Sequence, residues 1–126
     1  MGEEITTSVA EWKEKIQTIE DRPILAQAIA VASTGNLTQA IVIANRIASG
    51  RTLHQEAQVE VRYWQLQLQE IADRHTLERA IEIYHQGEIS LAIDIASTIA
   101  RRSPIYSDAR SYIADWRLLV PSPIRN

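Results

Sequence analysis

Residues 25–68 read LAQAIAVASTGNLTQAIVIANRIASGRTLHQEAQVEVRYWQLQL, and residues 77–120 read LERAIEIYHQGEISLAIDIASTIARRSPIYSDARSYIADWRLLV. Set against each other without a gap, 13 of the 44 pairs are identical. They include Leu25/Leu77, Ala28/Ala80, Ile29/Ile81, Gly35/Gly87, Ala40/Ala92, Ala44/Ala96, Ile47/Ile99, Ala57/Ala109 and Trp64/Trp116. Val31/Ile83, Leu53/Ile105, Glu56/Asp108 and Val61/Ile113 are conservative. The matches fall on apolar and turn positions, as in a repeat that keeps a core and varies a surface. The 52-residue offset also reaches backward, because Trp12, Trp64 and Trp116 are equally spaced, as are Val9, Val61 and Ile113. One domain is therefore expected over residues 1–126. It divides into the tail of a preceding repeat (1–22), a complete repeat (23–74) and a second, nearly complete one (75–126). On this reading either the chain is a piece of a longer array, or its partial units serve as caps.

Each unit reads as three helical segments. The first runs from about Pro23 to Thr34, with Leu25, Ala28, Ile29 and Ala32 at helical spacings of 3 and 4. Asp21 is its expected N-cap, Pro23 suits its first turn, and Asp73 takes the same place in the next unit. Gly35 and Gly87 end the segment, since glycine enters the left-handed C-cap conformation cheaply, and Asn36 can cap the next helix. The second segment runs from about Leu37 to Ser49, with a stripe of Ala40, Ile41, Ala44, Ile47 and Ala48, and is stopped by Gly50. The third runs from about Leu53 to Ala72, with Leu53, Ala57, Val61, Trp64, Leu68 and Ile71 in a near-heptad stripe. In the following unit Ser103 and Pro104 read as N-cap and first helical residue, and Pro121 and Pro123 end the last helix. The stretch Asp73–Thr76 lacks a strong breaker, so the third segment can run on into the next unit with a kink. No alternating apolar and polar stretch competes, and no β-structure is expected. The fold class is all-α: tandem helical hairpins forming an α-solenoid or right-handed helical array of about six to seven helices.

The spacing Ala28–Gly35–Ala40, repeated as Ala80–Gly87–Ala92, resembles the tetratricopeptide helix-turn-helix. Pro104 also falls where that motif places its terminal proline. The tetratricopeptide period is 34 residues, and the longer period here extends the third segment and brings in the tryptophans. With Gly35-Asn36, Ala40-Ile41, Leu53, Ala57 and Trp64, and Gly87-Glu88, Ala92-Ile93, Ile105-Tyr106, Ala109 and Trp116, the chain looks like the tandem repeats of large cyanobacterial proteins labelled chromosome-segregation-ATPase-like. The resemblance implies a helical scaffold. It implies no ATPase, because no glycine-rich loop with Lys and Ser/Thr is present.

Composition agrees with helices in close contact. The chain has 126 residues, 45% hydrophobic and 23% charged, with no Cys and no Phe. Without Cys there is no disulfide framework, thiol nucleophile or Cys-based zinc site. No apolar run is long enough to cross a membrane and no signal peptide is visible, so the chain reads as soluble, with the cytoplasm favoured. The net charge of −3 lies wholly in residues 1–24; the rest balances ten Arg against ten acids. That balance leaves no electrostatic footprint for nucleic acid or anionic lipid. Arg101-Arg102 is the one basic doublet, read as a helix C-terminal turn, with a phosphate contact as the alternative. His54, His75 and His85 show no metal-ligand spacing, and no Ser or Thr sits in a nucleophile elbow. No enzyme, metal or cofactor is expected.

The expected function is a non-catalytic protein-protein interaction scaffold. By analogy with tetratricopeptide arrays, the partner groove draws on Gln27, Ala30, Ser33 and Thr34 in one unit and Arg79, Glu82, His85 and Gln86 in the next. Trp12, Gly35, Ala40, Trp64, Gly87, Ala92 and Trp116 are structural. Trp12 sits in a truncated unit, which leaves part of its packing surface uncovered. The alternative function is a self-association or spacer module that forms homo-oligomers through end repeats.

Overall fold

Asp21 and Pro23, read from the sequence as the start of a helix, lie inside one. The computed structural model describes residues 2–121, and side-chain surroundings for residues 8–121. Helix α1 spans Gly2–Ser33, 32 residues, with Pro23 within it. An interior proline removes one backbone hydrogen bond and costs about 3 kcal/mol. Four polar ties hold the turns beside it. Arg51 Nε donates to Asp21 Oδ2 at 2.9 Å and Arg51 Nη2 to Glu20 Oε1 at 2.9 Å. Arg22 pairs with Glu56, and the Thr52 amide donates to Gln17 Oε1 at 2.9 Å. Asp21 thus serves a part-buried ion pair rather than a cap. The second junction behaves alike: α3, His54–His85, runs 32 residues and contains Asp73. It holds neither Gly nor Pro, so nothing breaks it.

Because both junctions are continuous, there are five helices among the described residues rather than six or seven. The fold is all-helical, with no strand among those residues. The other three are α2, Leu37–Ala44, α4, Ile89–Ala96, and α5, Tyr106–Arg117. The second segment ends five residues earlier than Ser49. The Arg46 and Ile47 amides reach back only three residues, to the Ile43 and Ala44 carbonyls, which tightens the chain out of α-helix. Gly50 takes φ +89° later in that connection. Gly35 ends α1's last turn at φ +95°, its amide donating to the Ala32 carbonyl at 2.9 Å. Asn36 Oδ1 then accepts the Gln39 amide at 3.2 Å, whereas Glu88 gives α4 no side-chain cap. Ser103 is displaced from its expected role. Its Oγ accepts the Ile105 amide at 3.3 Å in the turn before α5, whose first residue is Tyr106. Helix α5 ends at Arg117, ahead of Pro121, and Pro123 lies outside the described residues.

Contacts gather the chain into two compact units, Met1–Leu68 and Gln69–Asn126. The sequence places its junctions at 22/23 and 74/75. In the first unit, Leu25 and Ala28 of α1, Leu37, Ala40, Ile43 and Ala44 of α2, the connection residues Ile47 and Leu53, and Ala57, Val61 and Trp64 of α3 form one core. Ala28, Ala40, Ala44 and Ala57 are wholly buried; residues this small let helix backbones approach closely. The stripe of the third segment holds through the half-buried Leu68 and is lost at Ile71, which is exposed. In the second unit, Leu77, Ala80, Ala92, Ala96, Ile99, Ile105, Ala109, Ile113 and Trp116 form the core. Tyr84 stacks on Trp116 with centroids 5.1 Å apart, where the first unit has Ala32 facing Trp64's cluster.

Candidate interaction surfaces

The groove residues inferred from the repeat divide between the two units. In the first, Gln27, Ala30 and Ser33 are exposed on the last turns of α1, with Thr34 just beyond. Ser33 Oγ and Thr34 Oγ1 donate back to the Ala30 and Val31 carbonyls, at 2.7 and 2.6 Å, so both hydroxyls are engaged by their own helix end. In the second, Arg79, Glu82 and His85 are exposed on α3 and Gln86 comes directly after it. The His85 ring meets Tyr84 edge-on at 5.4 Å. These residues lie opposite Leu25, Ala28, Leu77 and Ala80, so helical phase alone turns them outward.

Sequence reading missed the polar junction of the first unit, because its partners are about thirty residues apart. Asp21 is buried, and the Arg51 guanidinium caps it while reaching Glu20. The hydrogen bond to Asp21, then that to Glu20, holds Arg51 further above its already high pKa, so it stays charged. Position 103 in the second unit holds Ser where position 51 holds Arg. Asp73 is buried there; Gln69 Nε2 donates to its Oδ1 at 3.0 Å, and Oδ2 has no partner. A buried oxygen left unpaired costs desolvation energy that nothing returns. Ser103→Arg should therefore stabilise the chain by about 1 kcal/mol, read as a higher urea midpoint. The gain should vanish when Asp73→Asn is added; a gain that survives would assign it elsewhere.

Clefts lie beside these junctions. One, about 450 Å³, lies in the second unit between α3 and α5, with Arg74, Glu78, Asp108 and Tyr112 among its lining residues. Arg74 there pairs weakly with Glu70, at 3.4 Å, whereas its counterpart Arg22 closes on Glu56. Another, about 560 Å³, lies in the first unit over Val9, Trp12 and Ile16, rimmed by Lys13, Gln17, Glu20 and Arg51. Trp12 is 65% exposed there, with Lys15 Nζ 5.8 Å from its ring centroid.

Among the described residues, no three His, Cys, Asp or Glu side chains gather where they could hold a metal ion. His54 Nδ1 is instead in hydrogen-bond contact with the Ile47 carbonyl at 2.9 Å. No helix among the described residues is long and apolar enough to cross a membrane. No family model, curated protein or solved structure matches the chain.

Proposed function

We propose that this chain is a non-catalytic protein-interaction scaffold built from tetratricopeptide-like helical repeats, of the kind its sequence resembles in large cyanobacterial proteins. The observation that carries the reading is the recurrence of one element pattern. Long helices end at residues 33 and 85, and helices of 8 residues begin at 37 and 89. Buried positions recur with them: Leu25 and Leu77, Ala40 and Ala92, Trp64 and Trp116. The exposed faces do not, since Gln27, Ala30 and Ser33 become Arg79, Glu82 and His85. A shared core with divergent outward faces suits recognition of a protein or peptide by those faces.

The test is affinity capture from native extract with the chain and with a variant carrying Arg79→Ala, Glu82→Ala and His85→Ala, quantified protein by protein. The expected result is loss of specific partners from the variant. Identical profiles would remove this face from the reading, and empty profiles from both would remove the scaffold. A second reading, self-association, is favoured by one observation: Val9, Trp12 and Ile16 are all more than half exposed.

A further inference from the structure

Arg22 and Arg74 stand 52 residues apart, and so do the acids Glu56 and Asp108. In the first unit Arg22 pairs with Glu56, which ties α1 to α3. In the second unit Arg74 turns back along its own helix to Glu70, four residues earlier, at 3.4 Å. A difference in sequence accounts for this. Glu70 stands where the first unit has Thr18, so Arg74 has an acid at helical spacing and Arg22 has none there. The place beside Asp108 is left as the cleft of about 450 Å³ between α3 and α5. Among the described residues neither Glu78 nor Asp108 has an ion-pair partner. The lining has changed as well: Glu78, Ser111 and Tyr112 replace Ala26, Val59 and Glu60. Tyr112 is 40% exposed, and its ring lies 5.5 Å from that of the buried Trp116, which fixes it to the core. Asp108 is the second carboxylate of this unit to lack the guanidinium its counterpart holds. The first is Asp73, whose Oδ2 is buried and unpaired where Asp21 has Arg51.

We propose that this cleft is a recognition site for an arginine side chain of a partner peptide, and that Glu70 keeps it open by holding Arg74 aside. The chemistry of the occupant is read from the first unit, where a guanidinium fills the corresponding place against Glu56. In the second unit the chain's own guanidinium is withdrawn and neutralised by Glu70. Two carboxylates, Glu78 and Asp108, are left for an incoming cation. They outnumber the single arginine at the edge, so an anionic ligand does not suit the cleft. Leu77, Ile81 and Ile105 give it an apolar floor for the methylene stem of an arginine. Tyr112 offers a ring on which a planar guanidinium stacks, which an ammonium does less well.

The probe is a tripeptide of arginine between two alanines, blocked at both ends, titrated into the isotope-labelled full chain and followed by amide chemical shifts. The expected result is saturable shifts at Asp108, Ser111 and Tyr112. The same peptide with citrulline, which keeps the shape and loses the charge, should shift none of them, and the lysine peptide should bind more weakly. Asp108→Asn should weaken arginine binding about tenfold, the loss of a charge-assisted hydrogen bond. Asp108 is exposed, so the rest of the spectrum should stay as in the parent. Glu70→Thr restores the arrangement of the first unit. It should also weaken binding, because Arg74 is then free to swing onto Asp108 and compete. Absence of saturable shifts in the cleft would overturn the proposal, as would equal responses to arginine and to citrulline or lysine. Undiminished binding by the Glu70→Thr chain would overturn the role of Glu70. The capture experiment with Arg79, Glu82 and His85 reads a different surface, so either result can fail without the other.

Discussion

Trp64→Ala lowers stability by about 3–5 kcal/mol, the range for removing a large aromatic from a packed core. The indole is 4% exposed and belongs to the cluster formed by Leu25, Ala40, Ile43, Ala44, Ala57 and Val61. Its loss opens a cavity in a cluster whose many alanines have no side-chain reach to fill it. Urea denaturation followed by helical circular dichroism measures it. Trp12→Ala is the internal control: the same residue type sits on the same helix face 52 positions earlier, but open to water, and should change the midpoint little. A Trp64→Ala chain that unfolds at the parental midpoint would contradict the packing of this core.

Gly35→Val is the second large effect, at about 1–3 kcal/mol. Its cause is separable from packing. Gly35 holds φ +95°, and a Cβ built there meets no atom within 4 Å. The cost is therefore backbone strain alone, greatest for a β-branched residue at positive φ. Gly35→Asn should retain part of the stability, because asparagine tolerates the left-handed region better than valine. If valine and asparagine cost the same, strain is not the cause. The turn also sets where α2 begins, since Asn36 Oδ1 caps the Gln39 amide one residue later.

The buried stripes were legible because they depend on local periodicity. Leu25, Ala28, Ala40, Ala44, Val61 and Trp64 recur at helical spacing, and all are buried. The helix boundaries were not legible. An aspartate two residues before a proline reads as a cap when only its neighbours are considered. Its role was decided by Arg51, thirty residues away, and by the absence of any residue that would break the helix before Pro23. Asp73 misled for the same reason, in a helix with neither glycine nor proline. Ser103 reads as a cap by type, but its hydroxyl serves the turn ahead of α5. Of the candidate surfaces, the exposure of Arg79, Glu82, His85 and Trp12 stems from helical phase and from the spacing of the tryptophans. The open cleft between Arg74 and Asp108 was not legible: it depends on which of two acids a single arginine chooses.

Pro23 has a mechanical consequence. It removes the amide that would reach back to the Ile19 carbonyl, so α1, about 48 Å long at 1.5 Å per residue, has its least stiff turn there. The side chains of Gln17, Glu20, Asp21 and Arg22, all bound to residues 51–56, brace that turn from its N-terminal side. Three of those four attachments are ionic. The flexural rigidity of the helix that carries Trp12 is thereby tied to ionic strength: added salt weakens the exposed attachments first, and the helix then loses bracing beside its proline.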